Sequence, residues 1–194
     1  MKNNKETIGK VIFWSMVIYI LFAHLDHLPV IIWDEARLAV NAYEMFKSGN
    51  PFLVFYDGSP EMWSVKPPFM LWCQIFFIKI IGYSTTAIRL PSAFAGLGTA
   101  IILFRFIAKR SNSSLLPYIA VGVLITTPGY IMVHGTRTGD YDAMLIFFNT
   151  FYCFSFYKYL EGRKEGRKEG RKDSTCYSPS LEFYWQRIRK VLQV

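Results

Sequence analysis

The sequence predicts an all-α integral membrane protein with about four transmembrane helices and further short helices on its outer side. Two observations carry this. Of the 194 residues, 52% are hydrophobic and 18% aromatic, with a mean hydropathy of +0.21, a balance that favours a membrane protein over a water-soluble domain. The apolar residues also gather into four segments close to the roughly 20 residues that cross about 30 Å of hydrocarbon as a helix. Those segments are Ile8 to Leu25, Leu90 to Ala108, Leu115 to Val133 and Ala143 to Leu160.

The first segment follows Lys2, Lys5 and Lys10, as a secretory signal would, but "HLDHLPVIIW" behind it offers no small-residue cleavage site. It is therefore expected to stay as an uncleaved first span. A fifth apolar run, Pro67 to Ile81, would make only about 22 Å of helix, short of the hydrocarbon thickness. Charge supports leaving it out of the count, because cytoplasmic flanks hold the Lys and Arg excess. With four spans and a cytoplasmic N-terminus, the cytoplasmic side holds sixteen of the 22 Lys and Arg residues: Lys2, Lys5, Lys10, Arg105, Lys109, Arg110, Lys158 and nine after Leu160. Counting Pro67 to Ile81 as a span would send "RFIAKR" and the tail outside. The loop 26–89 is then an outer loop with interfacial helices.

This orientation has a chemical consequence. Asp34, Glu35, Arg37, Lys66, Arg89, Arg137, Asp140 and Asp142 all fall on the outer side, in two separate loops. Ionisable residues at the membrane boundary are costly, and are a functional hypothesis by default. The net charge of +8 does not point to nucleic acid, since the stretch from Glu161 onward has nine basic against five acidic residues and so holds half of the excess. Cys73, Cys153 and Cys176 form no CxxC or other ligand spacing, so neither a metal site nor a disulfide framework is expected from them. His24, His27 and His134 have no helical ligand spacing to one another and read as polar anchors. Trp33, Trp63 and Trp72 read as interface belt and core.

Four stretches, in order, match a known pattern: "WDEARLAVNAYEMFKSGN", "VKPPFMLW", "AIRLPSAFAGLGTAIILF" and "HGTRTGDYDAMLIFFNTF". Together they resemble the N-terminal part of bacterial lipid-linked sugar transferases of the protein O-mannosyltransferase and aminoarabinose transferase superfamily, which have the GT-C membrane fold. The likeness covers roughly Ile8 to Tyr159. It implies the opening half of that fold in a bacterial inner-membrane, multi-pass protein. The implied activity is transfer of a hexosyl or pentosyl group from a polyprenyl-phosphate donor to a glycan, lipid or protein acceptor on the outer face.

Carried over residue by residue, the resemblance makes Asp34 the outer-loop aspartate, with general-base or orienting work. Taken alone, Asp34 is equally an acid favoured by the dipole at a helix N-terminus. Arg37, three residues on and so on the same helix face, either binds the lipid phosphate or neutralises Asp34. Lys66, ahead of "PP", is the second phosphate cation, with snorkelling to the interface as its bland role. Asp142 resembles the acid that heads a span. Asp140 is the alternative, and either could instead cap a helix beside Arg137. Glu35 and Arg137 stand as further candidates. Arg89 with "LPSAFAGLG" reads as the start of a span whose small residues allow close packing. One departure matters: the aminoarabinose branch places a metal-holding glutamate directly before the KPP lysine, and this chain has Val65 there. Valine offers no donor atom, which argues against a divalent metal at that spot and against that donor specificity.

After Leu160 the character changes. Residues 161–172 read "EGRKEGRKEGRK", a perfect repeat, followed by 173–194. Its bland role is a cytoplasmic linker facing anionic lipid. The codons GAA, GGA, AGG and AAG would also make it a plain GAAG tract, whose slippage shifts the reading frame. On that expectation 173–194 is out of frame, further spans lie in another frame, and the 194-residue chain is inactive by itself.

Overall fold

The structure, a computed structural model, describes residues 2–62, 64, 66–132 and 134–170. Trp63, Val65, Cys176 and the stretch 173–194 lie outside these. The chain divides into two compact units, residues 1–154 and 155–194. Everything that positions the candidate site lies in the first.

Seven helices and one small hairpin make up the described elements: α1 (Lys2–Phe22), α2 (Asp34–Ser48), β1 (Phe55–Tyr56), β2 (Ser59–Pro60), α3 (Phe69–Ile81), α4 (Thr85–Arg110), α5 (Leu116–Thr126), α6 (Pro128–Ile131) and α7 (Asp142–Gly170). Among the described residues, α4 alone is both long and apolar enough to cross a membrane, while α3 and α5 are apolar but shorter. Between residues 26 and 89 the chain forms α2, the hairpin and α3.

Several expected boundaries differ, and two have a clear local cause, a serine cap in the first and a proline in the second. The second apolar segment starts as a helix at Thr85 rather than at Leu90. Ser84 caps it through its hydroxyl, which accepts from the Ala87 amide at 3.2 Å, and Pro91 is carried inside the helix. With Pro91 only six residues past the first helical position, its absent N–H removes just one bond near the helix start. The third segment does not run as one helix from Leu115 to Val133. It ends at Thr126, because Pro128 cannot donate back and disfavours helical geometry at Thr127, and a four-residue helix follows.

Two apolar clusters hold the first unit together. Val17 and Leu21 of α1 pack with Ala100 of α4 and Val121 and Ile125 of α5. Leu38, Ala42 and Met45, at helical spacing along α2, pack with Leu71 and Ile78 of α3 and Ala87 of α4. The small residues of α4 permit close approach: a Cβ on Gly96 would meet Thr136 at 2.6 Å, and one on Gly98 would meet the Phe147 ring at 2.6 Å. The hairpin turns on Asp57 and Gly58, with φ of 53° and 72°. Two left-handed residues in succession are the geometry a two-residue Asp-Gly turn supplies. That turn sets Glu61 just beyond β2, with its amide bonded to Val54 O at 2.8 Å.

Candidate functional site

α2 begins after a strained residue. Trp33 has φ 87°, and no side chain caps the helix. The turn is fixed instead by Glu35, whose Oε2 accepts from the Ile31 amide at 2.8 Å. Glu35 Oε1 accepts from Arg89 Nε at 2.6 Å and from the Gly139 amide at 2.8 Å, and Oε2 takes Arg89 Nη2 at 2.9 Å. Arg89 spends its remaining donors on the carbonyls of Leu25, Leu28 and Pro29 at 2.7 to 2.9 Å. Both side chains are buried. Burial raises the Glu35 carboxyl, but the hydrogen bonds from Arg89 and the Ile31 and Gly139 amides, together with the Arg89 charge, outweigh it and hold the group below its ordinary value. Glu35, a further site candidate from sequence, thus has its carboxylate fully engaged in joining the 25–31 connection, α4 and the connection between α6 and α7. Arg89 is more than the start of a span, for the same reason.

Asp34 lies one residue from that anchor, at the exposed start of α2. Arg37, one turn on, does not neutralise Asp34. Its Nη2 pairs with Glu61 Oε1. Asn41, a further turn along the same face, donates to Glu61 Oε2 at 2.6 Å. The guanidinium stays about half exposed while the Glu61 carboxylate is buried, so Arg37 is oriented from behind with its front open. Lys66 is exposed and stands 4.9 Å from the Tyr141 ring centroid. Burial and the Glu61 charge push the Tyr141 phenol up to about 12, so it faces the ammonium as a neutral ring.

The connection between α6 and α7 brings Asp140 and Tyr141, followed by Asp142, to this surface. Asp142 opens α7 and is exposed. Asp140 is 4% exposed. Its Oδ2 meets His134 Nδ1 at 3.0 Å, and its Oδ1 has no partner. Burial pushes its carboxyl up, opposed by His134 and the Thr138 hydroxyl and reinforced by the charges of Glu35 and Asp34, so Asp34 and Asp140 sit within electrostatic reach of each other. Arg137 pairs with neither aspartate. Its Nη2 donates to the carbonyls of Ala23 at 2.6 Å and His24 at 3.3 Å, at the end of α1. The loop is pinned from below by Gln74 of α3, whose Nε2 donates to Ile88 O at 3.2 Å and Gly139 O at 3.1 Å.

Asp34, Arg37, Lys66 and the 140–142 loop therefore converge on one surface, with Glu35 and Arg137 set behind it. Sequence reasoning passed over Glu61, Asn41 and the His134 pairing. The signal for the first two was there: Arg37 and Asn41 are four apart on α2, a polar stripe beside the apolar one, and "YDGSP" is a tight-turn sequence that returns Glu61 to it. The residues present do not fit the divalent metal of the aminoarabinose branch. Position 65 is valine, the carboxylate of Glu61 is taken by Arg37 and Asn41, and no group of three metal-ligating side chains occurs among the described residues.

Comparison with known proteins identifies the family of the chain. The chain is 36% identical over 98 residues to the putative mannosyltransferase YycA of Bacillus subtilis (strain 168), a match covering 50% of this chain and 14% of that protein. It is 31% identical over 99 residues to the putative mannosyltransferase YkcB of the same organism, covering 51% and 13%. The chain thus spans about one seventh of the length of these relatives. In fold it is similar to the apo crystal structure of ArnT from Cupriavidus metallidurans, with a TM-score of 0.53 at 23% identity over 62% of this chain and 22% of that one. The model of the dolichyl-phosphate-mannose-protein mannosyltransferase family matches residues 65–168, more than half of the sequence, and the chain belongs to that family.

Proposed function

We propose that this chain is the N-terminal portion of a multi-pass inner-membrane glycosyltransferase that takes its sugar from a polyprenyl-phosphate donor and transfers it to a cell-envelope acceptor on the outer face. The family supports the reaction class, a glycosyl transfer in a membrane protein. The observation that carries the rest is the convergence of two cations and two exposed carboxylates from separate loops: Arg37 oriented by Glu61, Lys66 against Tyr141, Asp34 at the head of α2 and Asp142 at the head of α7.

In this reading Arg37 and Lys66 hold the lipid phosphate, the first as a planar fork and the second as a point charge. Asp34 accepts the proton of the acceptor group as its lone pair attacks the anomeric carbon. The bond from that carbon to the phosphate oxygen breaks, and the electron pair leaves with the lipid phosphate, where the two cations stabilise it. Asp142 binds the sugar or acceptor. Four spans with the N-terminus inside put all four residues on the outer side. Titration of the purified chain with undecaprenyl phosphate in detergent tests the cation assignment. Lys66→Gln and Arg37→Gln are each expected to weaken binding about tenfold, and unchanged binding in both overturns it. In the longer enzyme, Asp34→Asn is expected to lower transfer by about 10²–10⁴-fold, the usual range for a general base.

A second reading is favoured by the perfect repeat at 161–172: the 194-residue chain binds the lipid carrier without turning it over, as the off-state product of a gene that switches by slippage in a GAAG tract. Sequencing the gene through these codons in many single colonies decides it. A tract of varying copy number supports the switch, and mixed, fixed codons such as CGT for Arg rule it out.

A further inference from the structure

A cavity of about 700 Å³ opens at the end of α1, between that helix, the 23–31 connection and α6. Its volume is in the range of small-ligand sites. Asp34, Arg37, Lys66 and Asp142 do not line it, so it is separate from the surface described above. Most of its wall is apolar, including Tyr19, Ile20, Leu28, Ile131 and Met132.

The ionisable nitrogen groups on this wall are those of Arg89, Arg137, His24 and His27, and no carboxylate lines it. Arg89 reaches it, but every one of its donors is already spent on Glu35 and the carbonyls of Leu25, Leu28 and Pro29. Arg137 differs. It lines the cavity and uses Nη2 alone, on two backbone carbonyls, so Nε and Nη1 make no hydrogen bond and no carboxylate pairs with it among the described residues. His24 and His27 stand on the same wall with ring centroids 6.2 Å apart. Arg137 is only partly buried, so its Nε and Nη1 edge stays open to an anion that enters the cavity, with no carboxylate among the described residues competing for it.

We propose that this cavity binds one anionic phospholipid, its phosphate on the open edge of Arg137 beside His24 and His27 and one acyl chain along the apolar wall. Charge selects the head, since a phosphate matches the Nε and Nη1 edge bidentately. The wall selects the tail. Position agrees under the proposed four-span topology, which puts the end of α1, where the cavity opens, at the outer membrane surface.

The test uses the delipidated full chain in detergent, titrated with dioleoyl-phosphatidylglycerol, dioleoyl-phosphatidylcholine or inorganic phosphate and read by native mass spectrometry. One phosphatidylglycerol per chain is expected, at least tenfold tighter than phosphatidylcholine, with no retained inorganic phosphate. Arg137→Gln should lose at least tenfold. Because Arg137 also ties down the end of α1, Leu28→Trp serves as the second variant: residue 28 is 64% exposed, so the larger ring fills the cavity without disturbing the core. It should lose lipid with Arg137 intact. Lys66→Gln should leave this binding unchanged, which separates it from the donor site. Equal affinity for the two lipids, binding that survives both variants, or binding abolished by Lys66→Gln each overturns the proposal.

Discussion

Glu35 and Arg89, 54 residues apart in sequence, meet as a two-pronged buried ion pair, Nε to Oε1 at 2.6 Å and Nη2 to Oε2 at 2.9 Å. Backbone groups from three segments complete it, so no charge is left unsatisfied. Removing one partner leaves the other buried alone, a loss of about 3–5 kcal/mol. Arg89→Met is therefore expected to lower stability by that amount in chemical denaturation of the detergent-solubilised chain. A loss below about 1 kcal/mol would show that the carbonyls of Leu25, Leu28 and Pro29 need no donor.

The same pair sets a pH dependence. The folded-state pKa of Glu35 is depressed below 4.5, so its stabilisation is fully present above the unfolded value and is lost as pH falls through the folded one. Acid unfolding of the wild type should steepen below about pH 4.5, and Glu35→Gln, less stable at pH 7, should show a flatter acid limb. Identical limbs in the two proteins would mean that Glu35 does not carry the acid sensitivity.

Asp140 and Asp142 separate in opposite ways. Burial pushes Asp140 up from 3.8; with a raised folded pKa, its favourable contribution is present below the unfolded value and is lost as pH rises through the folded one. Its partner His134 has a half-exposed side chain, and such pairs contribute about 0–1 kcal/mol. Asp140→Asn is therefore expected to raise the denaturation midpoint at pH 7 and to change it little at pH 3. Asp142→Asn, at an exposed helix start, should leave the midpoint within about 0.5 kcal/mol of wild type and lower transfer in the longer enzyme. A reversal of the two effects would move the substrate role to Asp140.

These contrasts show which features could be read from the sequence. The four apolar segments fall on α1, α4, α5 and α7, although among the described residues α4 alone is long and apolar enough to cross a membrane, and Leu38, Ala42 and Met45 stand at a helical spacing that matches the buried face of α2. Pro91 was less legible. A proline at the start of an apolar run reads as a helix start, yet Ser84 caps the chain earlier and brings Arg89 inside the helix. The job of Arg89 could not be read locally at all, because its partners lie 54 to 64 positions away. Glu61 is legible only when the turn and the polar stripe of α2 are read together. Nothing in "SPEMW" marks a buried carboxylate until the Asp57–Gly58 turn folds it back onto α2.

Glu61 then becomes a positioning residue with a test of its own. It holds Arg37 and Asn41 together, so Glu61→Ala should free Arg37 and weaken undecaprenyl phosphate binding by about the same factor as Arg37→Ala. The double variant should be no worse than either single one, the non-additivity expected of residues acting through one contact. Additive losses would mean that Arg37 finds the phosphate without Glu61.

Gly139 ties fold to site most directly. Its amide donates to Glu35 Oε1 at 2.8 Å, its carbonyl accepts from Gln74 Nε2 at 3.1 Å, and Asp140 to Asp142 follow. A Cβ there would lie 2.5 Å from Ile88 Cγ2 and 3.3 Å from both Gln74 Nε2 and Ile88 O. The first contact is with a buried side chain, so the loop must shift, and overpacking of this kind costs about 1–3 kcal/mol. Gly122 in α5 is the control, since nothing lies within 4 Å of a Cβ built there. A helix-interior Gly→Ala change in open space gains about 0.5–1 kcal/mol. Gly139→Ala is thus expected to lower the denaturation midpoint and Gly122→Ala to raise it. In the longer enzyme, only the former should lower transfer, because only that shift moves the loop bearing Asp142 away from Asp34 and Lys66.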